Sequence, residues 1–469
     1  MTIGLRRRIA AAALTLCFAM AAPALADGVT DGNAGREALL AGNVDEAIRL
    51  FSRAIAFGGL DAKNQAITLN LRGNAYLGRG QSEVALADVT ESLRLAETID
   101  AHFTRAKIFI AQYRFDDAVE DLTRAIALGG EAADVYGLRG HAHLYAGRMD
   151  DAFKDLDHAL KIQPNYAFAL RTRGHAFMNN GQDDKAIADL TQAIALDAKD
   201  SEAYWLRAYA WRYRKKQPLK AVADYTAAIK ADPNDSTNRT SRADVYEELG
   251  RYAEASADYD EWIKQNPRGA FGYWARGRLS LVQGRYPQAA ADLAKAVSLK
   301  PSDAYNVLWL HLARAKAGTD DAAELQTNAG KVNRTIWPGP LIDYLTGKAD
   351  APAVLAKAAA AEGKTKATQS CEAQMFLGQD DLAKGRKAQG IDRLQAAART
   401  CNGASNEGRL IKADLERNGA AAPRPTLAAA VPPTSMAKPA ALPAQAKPKP
   451  QIQTQAQGGD PLLLRGSLK

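Results

Sequence analysis

The sequence predicts an all-α protein, a solenoid of helix-turn-helix repeats. Residues 170–198 repeat residues 136–164 at an offset of 34, with small, apolar and alanine positions in the same order. One alanine of the pattern recurs through most of the chain, at Ala47, Ala85, Ala118, Ala152, Ala186, Ala221, Ala255 and Ala289. A pair of such short helices cannot bury its apolar stripe alone and must stack on neighbouring pairs. The period therefore predicts about eight stacked pairs, within residues 27–302.

Each predicted pair is punctuated by residues suited to close packing and to turns. The first helix carries a small residue facing its partner helix, at Gly73, Ala106, Gly140, Gly174, Ala208, Ala243 and Gly277. Glycines that are free to adopt positive φ end the first helices, at Gly80, Gly147, Gly181, Gly250 and Gly284. Prolines stop second helices, at Pro164, Pro233, Pro267 and Pro301. Two irregular steps predict insertions, one at Gly58-Gly59 and one of a single residue in Lys215–Pro218.

An arginine directly precedes each small residue, and an aspartate follows it in the second helix. The arginines are Arg72, Arg105, Arg139, Arg173, Arg207, Arg242 and Arg276, and the aspartates are Asp88, Asp121, Asp155, Asp189, Asp224, Asp258 and Asp292. Two interpretations fit these ladders: a phosphate-binding stripe, or ion pairs between the two helices of each pair. The nearly constant offset between cation and anion favours ion pairs, since half-buried charges need partners.

Both ends of the chain differ from the repeats. Residues 1–26 combine three arginines, an apolar run and Ala24-Leu25-Ala26, which predicts a secretory signal peptide cleaved between Ala26 and Asp27. Residues 419–469 are rich in Ala, Pro, Lys and Gln, which predicts a disordered tail. This tail is either a solvated tether or a basic segment that touches an anionic surface such as the cell wall. No second apolar run is long enough to predict a transmembrane helix.

The charge of the chain is concentrated at these two ends. The net charge is +8, and residues 1–26 and 419–469 together account for all of it. The part that is predicted to fold is therefore neutral, which argues against a basic nucleic-acid-binding body. The predicted signal peptide places the mature protein outside the cytoplasm, in the periplasm.

The repeat pattern changes at Asp303 while the helices continue, so residues 303–418 are predicted to form a C-terminal helical region. Its last element is a helical hairpin, with Cys371 and Cys401 at the adjacent ends of the two antiparallel helices. Once the signal peptide is removed, these are the only two cysteines, and the compartment is oxidising. This setting favours a structural disulfide over two buried thiols. No C-x-x-C motif occurs, so a catalytic redox pair is not expected.

The candidate binding surface lies on the first helices, beside the small positions. Its residues change type from repeat to repeat, whereas packing positions keep one type, so stacking does not dictate them. First helices line the concave side of such a solenoid and offer an extended surface to a peptide or helix. The predicted partner-binding residues are Lys107, His141, Tyr145, His175, Trp205, Tyr209, Arg212, Tyr213, Trp274 and Arg278. The alternative is that Trp205 and Trp274 simply cover neighbouring helices.

The sequence carries no catalytic motif in a suitable strand-helix context, whether a nucleophile elbow, a zinc-protease helix, a Walker loop or a Rossmann glycine pattern. His141 and His175 hold the same place in successive repeats but have no Cys, Asp or Glu around them at ligand spacing. We therefore predict a protein that is not an enzyme and needs no metal or cofactor.

The repeat columns over residues 33–301 resemble the tetratricopeptide-repeat (TPR) superfamily. Beyond them, Leu308-Trp309-Leu310, Trp337–Gly347 and Cys371–Gly378 resemble the C-terminal region of NlpI-type periplasmic TPR proteins. Members of that family are lipid-anchored dimeric adaptors that hold peptidoglycan hydrolases and a periplasmic protease together. The resemblance therefore implies scaffolding in cell-envelope maintenance, with such enzymes as partners and a homodimer as the assembly. This chain departs from the family in its lack of a convincing lipobox, its larger number of repeats and its basic tail.

The function predicted from the sequence is that of an exported TPR scaffold that binds protein partners on its concave face. Two alternatives stay open. One is a scaffold for polysaccharide or outer-membrane export machinery, and the other is a structural protein that binds the cell wall through residues 419–469.

Overall fold

The computed structural model describes residues 28–421, which form 23 helices and contain no β-strand. The predicted signal peptide and residues 422–469 of the predicted tail lie outside the described residues. The chain divides into two compact units, which in the described part are residues 28–176 (unit 1) and 177–421 (unit 2). No helix between residues 28 and 421 is both long and apolar enough to cross a membrane.

Unit 1 contains four complete helix pairs. They are α1 (Gly28–Leu40) with α2 (Val44–Phe57), α3 (Ala62–Gly78) with α4 (Ser82–Leu95), α5 (Ile99–Ala111) with α6 (Phe115–Ala127), and α7 (Ala133–Tyr145) with α8 (Met149–Ile162). The following helix, α9 (Ala167–Asn179), contains the boundary between the units. Glycine allows the two helices of a pair to pack closely, because a Cβ on Gly140 would lie 2.7 Å from Leu156 Cγ. The repeating small residue therefore has the packing role that the sequence predicts.

Unit 2 continues the repeats and adds the C-terminal region. Its repeat helices are α10 (Asp183–Leu196), α11 (Ser201–Tyr209), α12 (Pro218–Ala231), α13 (Ser236–Glu248), α14 (Tyr252–Gln265), α15 (Ala270–Val282) and α16 (Tyr286–Leu299). The C-terminal region comprises α17 (Ala304–Lys316), α18 (Ala322–Ala329), α19 (Gly339–Leu345), α20 (Ala351–Ala359), α21 (Gly363–Ala383), α22 (Lys387–Thr400) and α23 (Asn406–Arg417). The structure thus confirms the predicted all-α architecture.

The arginine and aspartate ladders are ion pairs between the two helices of a pair. Six of the predicted pairs lie within one unit: Arg72–Asp88, Arg105–Asp121, Arg139–Asp155, Arg207–Asp224, Arg242–Asp258 and Arg276–Asp292. In each, the arginine donates two hydrogen bonds of 2.6–2.9 Å to the carboxylate. The first pair reverses the polarity, with Asp31 on α1 and Arg53 on α2. These bidentate contacts confirm the ion-pair interpretation over a phosphate-binding stripe.

The predicted turn glycines all have positive φ, between 69° and 79°. Tyr113 and Lys216 occupy this position in the two repeats that lack the glycine, with φ of 62° and 54°. The one-residue insertion lies earlier than predicted, in a π-helical turn over Ala210–Arg214 that directly follows α11. A π turn accommodates one extra residue without ending the helix, so the insertion needs no longer loop.

The C-terminal hairpin forms as predicted, from α21 and α22, and Cys371 and Cys401 form a disulfide. One further helix, α23, follows the hairpin and was not predicted. Leu410, Ile411 and Leu415 of α23 are fully buried and belong to the same hydrophobic cluster as residues of α15 and α17. The chain therefore ends its described part by packing a helix against the first helices of its own repeats.

Candidate binding face of the first helices

We call the side of the first helices that carries the predicted partner-binding residues the first-helix face. In unit 1 it contains a cluster of aromatic and imidazole rings. His141 and Tyr145, one turn apart on α7, have ring centroids 4.7 Å apart. Phe115 stacks on Tyr145 at 5.3 Å, and His175 meets Tyr145 edge-on at 5.6 Å. Tyr145 remains 38% exposed, so the cluster offers an aromatic surface to solvent.

The polar residues of this part of the face are mostly buried. Lys107 is 7% exposed, and its Nζ donates a hydrogen bond of 3.2 Å to Asn74 Oδ1. Burial, together with the positive charge of Arg171 and the neighbouring His175, lowers the pKa of His141 to about 3. His141 is therefore neutral at pH 7.

In unit 2, the face begins with three rings on one continuous helix. Trp205 lies 5.9 Å from Tyr209, and Tyr209 lies 4.5 Å from Tyr213, measured between ring centroids. All three side chains are partly exposed. Trp205 also donates a hydrogen bond of 3.4 Å to Ser241 Oγ on α13, so it covers its neighbour and still presents part of its ring. We call Trp205, Tyr209 and Tyr213 the aromatic ladder.

The π turn determines where Arg212 lies. Arg212 is 8% exposed and donates hydrogen bonds of 3.0 and 2.6 Å to Glu248 Oε1 on α13. Its guanidinium carbon also lies 4.6 Å from the centroid of the Tyr213 ring. Arg212 therefore links two first helices and supports the aromatic ladder, rather than extending freely toward solvent.

On α15 the face is covered by the protein itself. Arg278 is 1% exposed and donates hydrogen bonds of 2.9 and 2.6 Å to Glu247 on α13. Arg409 of α23 lies 2.9 Å from the same carboxylate, and Trp274 packs against the cluster that contains α23. Contrary to the prediction, Arg278 is therefore unavailable to a partner in this structure, because α23 occupies that position.

A cavity of about 370 Å³ lies in unit 2, between the first-helix face and the segment that leads into α23. It is lined by Arg212, Tyr213, Asp244, Glu248, Asn402, Ala404, Ser405, Asn406, Glu407 and Arg409. The predicted site contained Arg212 and Tyr213 but lacked the opposite wall. Two features of the sequence could have indicated the helix that forms this wall: Ser405 is a typical N-cap residue, and Leu410, Ile411 and Leu415 have helical spacing on one side of α23. In the structure, the Ser405 hydroxyl caps α23 by accepting a hydrogen bond from Gly408 N.

No group of three or more His, Cys, Asp and Glu side chains between residues 28 and 421 is arranged to hold a metal ion. The contacts that the face does show are ring stacking, ion pairing and hydrogen bonding.

Two family models match the chain. The model of the ETO1 C-terminal domain matches residues 17–248, and a tetratricopeptide repeat model matches residues 240–304. No curated protein matches the chain at a significant level.

Solved structures of several TPR proteins are similar to parts of this chain. A tetratricopeptide repeat protein from Parabacteroides merdae has 20% identity and a TM-score of 0.38, covering 53% of this chain and 98% of its own. A thermophilic TPR protein from Thermus thermophilus has 21% identity and a TM-score of 0.36, covering 38% and 98%. The pilF protein of Pseudomonas aeruginosa has 18% identity and a TM-score of 0.34, covering 54% and 97%.

The repeat period, the paired helices with their close-packing small residues, and the two family models agree with one another. The chain belongs to the tetratricopeptide-repeat superfamily, whose fold is that of a protein-interaction scaffold.

Proposed function

We propose that this protein is a periplasmic, non-catalytic scaffold that binds protein partners through the uncovered part of its first-helix face and acts in cell-envelope maintenance. The observation that carries the proposal is the aromatic ladder on α11 and the π turn that follows it, whose three rings are spaced at 4.5–5.9 Å and remain partly exposed. Trp and Tyr dominate the binding energy of protein interfaces when they become buried by a partner. A row of such rings on a rigid helix pair is already organised for that burial.

The contrast between α11 and α15 supports this assignment. On α15, Arg278 is 1% exposed and shares the Glu247 carboxylate with Arg409 of α23, which supports the view that this face can accept a helix. On α11, Trp205 and Tyr209 remain partly exposed in the described chain. We infer that the aromatic ladder is the part of the unit 2 face that another protein covers.

The arrangement favours binding over catalysis. The two arginines of this part of the face are engaged in ion pairs, Arg212 with Glu248 and Arg278 with Glu247. A catalytic acid or base needs a titratable group that can exchange a proton with a substrate near the working pH. Groups committed to ion pairs instead hold the helices in register and shape the surface.

The location and biological process rest on the sequence and on one covalent feature. The predicted signal peptide directs the protein out of the cytoplasm, and the Cys371–Cys401 disulfide suits an oxidising compartment. The resemblance of the C-terminal region to NlpI-type adaptors suggests peptidoglycan hydrolases or a periplasmic protease as partners, and a homodimer as the assembly. These partners and this assembly are part of the proposal.

The test is a cross-linked pulldown from the envelope fraction with the mature protein as bait. A Trp205→Ala, Tyr209→Ala double variant is compared with a Leu196→Ala, Leu219→Ala control, which removes exposed apolar side chains from second helices instead. We expect the ladder variant to lose at least one specific partner that the control retains. Circular dichroism melting shows whether each variant is folded.

The proposal fails if the folded ladder variant recovers the same proteins in the same amounts as the control. Deleting residues 419–469 addresses the cell-wall alternative with the same preparations. Sedimentation with purified peptidoglycan that disappears in this deletion would favour a wall-binding tail over a scaffold.

A further inference from the structure

We infer that the cavity of unit 2 is a binding site for a cationic side chain, the ammonium or guanidinium group of a lysine or arginine on a partner peptide. This inference deepens the proposed function, on which it rests, because it names the chemistry of the partner segment that reaches the first-helix face. It also predicts that binding is selective for a basic residue beside the apolar residues that cover the aromatic ladder.

The charged groups around the cavity do not balance. Four carboxylates, Asp244, Glu247, Glu248 and Glu407, face three guanidinium groups in this part of unit 2. The guanidiniums are those of Arg212, Arg278 and Arg409. All three cations are committed, since Arg278 and Arg409 both pair with Glu247 and Arg212 pairs with Glu248. The cavity is therefore left with one negative charge in excess.

The two carboxylates with the weakest partners, Asp244 and Glu407, lie on opposite walls. Asp244, on α13, is held only loosely: Arg212 lies 3.9 Å away, the Tyr259 hydroxyl donates a hydrogen bond of 3.4 Å, and the Asp244 side chain is 44% accessible. Glu407, in the first turn of α23, has no Lys, Arg or His nitrogen of residues 28–421 within 4.0 Å of its carboxylate. A cation entering between them would contact both, whereas an anion would meet only arginines that already have partners.

The surroundings strengthen the preference for positive charge. Partial burial raises the pKa of Asp244, and Glu247 adds to the rise, while Arg212, Arg278 and Arg409 act in the opposite direction. A cation bound beside Asp244 would favour the charged form of this carboxyl group and lower its pKa again. Glu372 is close enough to Glu407 for the two carboxyl groups to interact, so it adds a further acidic group near this wall.

The cavity also has the shape and aromatic wall that such a side chain requires. Its volume of about 370 Å³ is at the lower end of the range for small-ligand sites, about 300–1,000 Å³. Tyr213 contributes an aromatic ring to the wall, and rings of this kind attract cations held within about 6 Å of their centre. Because Tyr213 is also the last ring of the aromatic ladder, a peptide that covers the ladder can place a basic residue in the cavity.

The experiment is isothermal titration calorimetry of the mature chain at low ionic strength with three probes. They are N-acetyl-lysine amide, N-acetyl-arginine amide and N-acetyl-norleucine amide, the last of which has an apolar side chain and no charge. We expect at least one of the two cationic probes to bind about fivefold or more tightly than norleucine amide. The comparison of lysine with arginine amide tells which cation the cavity prefers.

Three variants locate the binding. We expect Asp244→Asn and Glu407→Gln each to weaken the cationic probe about fivefold. Glu416→Gln is the matched control, because it removes the same charge from α23 at a residue outside the cavity. It is expected to leave the affinity unchanged. Using two variants on different helices keeps the test valid if one of them does not fold.

Three results would overturn the inference: equal affinity for norleucine amide, unchanged affinity in both cavity variants, or an equal loss in Glu416→Gln, which would indicate general surface attraction. Such results would leave the proposed function standing if the ladder variant still loses its partners. If the ladder variant retains them while the cavity binds lysine amide, the scaffold proposal fails and the cavity remains a cation site for a different ligand.

Discussion

Glu247 connects the first-helix face to α23, and its substitution is expected to destabilise unit 2 strongly. Its side chain is 0% exposed and pairs with both Arg278 and Arg409. It also accepts a hydrogen bond of 2.8 Å from the Tyr259 hydroxyl. Glu247→Gln keeps the size of the side chain but leaves two buried guanidinium groups without their anion. Removing one partner from a buried ion pair costs about 3–5 kcal/mol.

The corresponding change in melting temperature is large enough to measure. For a domain of about 150–250 residues, a change of about 1 kcal/mol shifts the Tm by about 2–4 °C, so Glu247→Gln is expected to lower it by roughly 6–20 °C. Because Arg409 loses its partner, α23 should also detach more readily, and trypsin should cut within Arg409–Arg417 earlier than in the wild type. Circular dichroism melting and limited proteolysis measure the two effects.

The control is Glu416→Gln, since Glu416 makes only an exposed contact of 3.9 Å with Lys412. Exposed pairs of this kind contribute about 1 kcal/mol or less. Equal Tm shifts in Glu247→Gln and Glu416→Gln would refute the reasoning, because the buried network would then contribute nothing beyond a surface pair.

The pH dependence of the melting temperature provides a second check on the stabilising role of Glu247. Burial alone would raise the pKa of Glu247, but Arg278, Arg409 and Tyr259 outweigh it and lower the pKa below the ordinary value of 4.5. A carboxyl group with a lowered pKa in the folded state stabilises the protein above its unfolded-state pKa, and this contribution is lost as the pH falls through the folded-state pKa. The Tm difference between wild type and Glu247→Gln should therefore narrow as the pH falls below about 4.5.

Three further predictions concern other parts of unit 2. Replacing Cys371 and Cys401 with serine opens a 30-residue loop and should lower the free energy of unfolding by about 3–4 kcal/mol; an unchanged denaturation midpoint would contradict this. Burial, with some help from Glu407, raises the pKa of Glu372 to about 7, so wild-type stability should fall as the pH rises from about 4.5 to 7. Glu372→Gln should remove this slope and be more stable at pH 8 by up to about 3 kcal/mol, as denaturant titrations at several pH values will show. Lys216→Gly should raise stability by about 1 kcal/mol in the same titrations because it relieves a positive φ, and Lys216→Ala, which keeps the Cβ, should not.

The parts of the fold that repeat were predictable from the sequence. Helix pairing, the close approach at Gly140 and the arginine-aspartate ion pairs all follow from contacts between residues a fixed distance apart in the chain. The disulfide was predictable for a similar reason, since Cys371 and Cys401 close a single hairpin. In each case the two partners belong to one helix pair, so the spacing alone brings them together.

The features that were not predictable depend on non-repeating elements. The insertion was predicted in the loop because a longer loop and a π turn produce the same spacing in the sequence, and only backbone hydrogen bonding distinguishes them. The position of α23 depends on contacts between residues far apart in the chain, such as that of Arg417 with the carbonyl oxygen of Val282. No period connects α23 to α15, so the sequence could not show that Arg278 would be covered.

Residue type varies from repeat to repeat at some positions of the first helices. This variation marks positions that stacking does not dictate, and both Arg278 and Trp205 fit that description. Yet Arg278 is covered by α23 of the same chain, whereas Trp205 remains partly exposed. Variation therefore identifies a surface that is free to bind something, but not whether the bound segment belongs to the protein itself. The exposed rings of α11 and the excess negative charge of the adjacent cavity are what favour a separate partner at that end of the face.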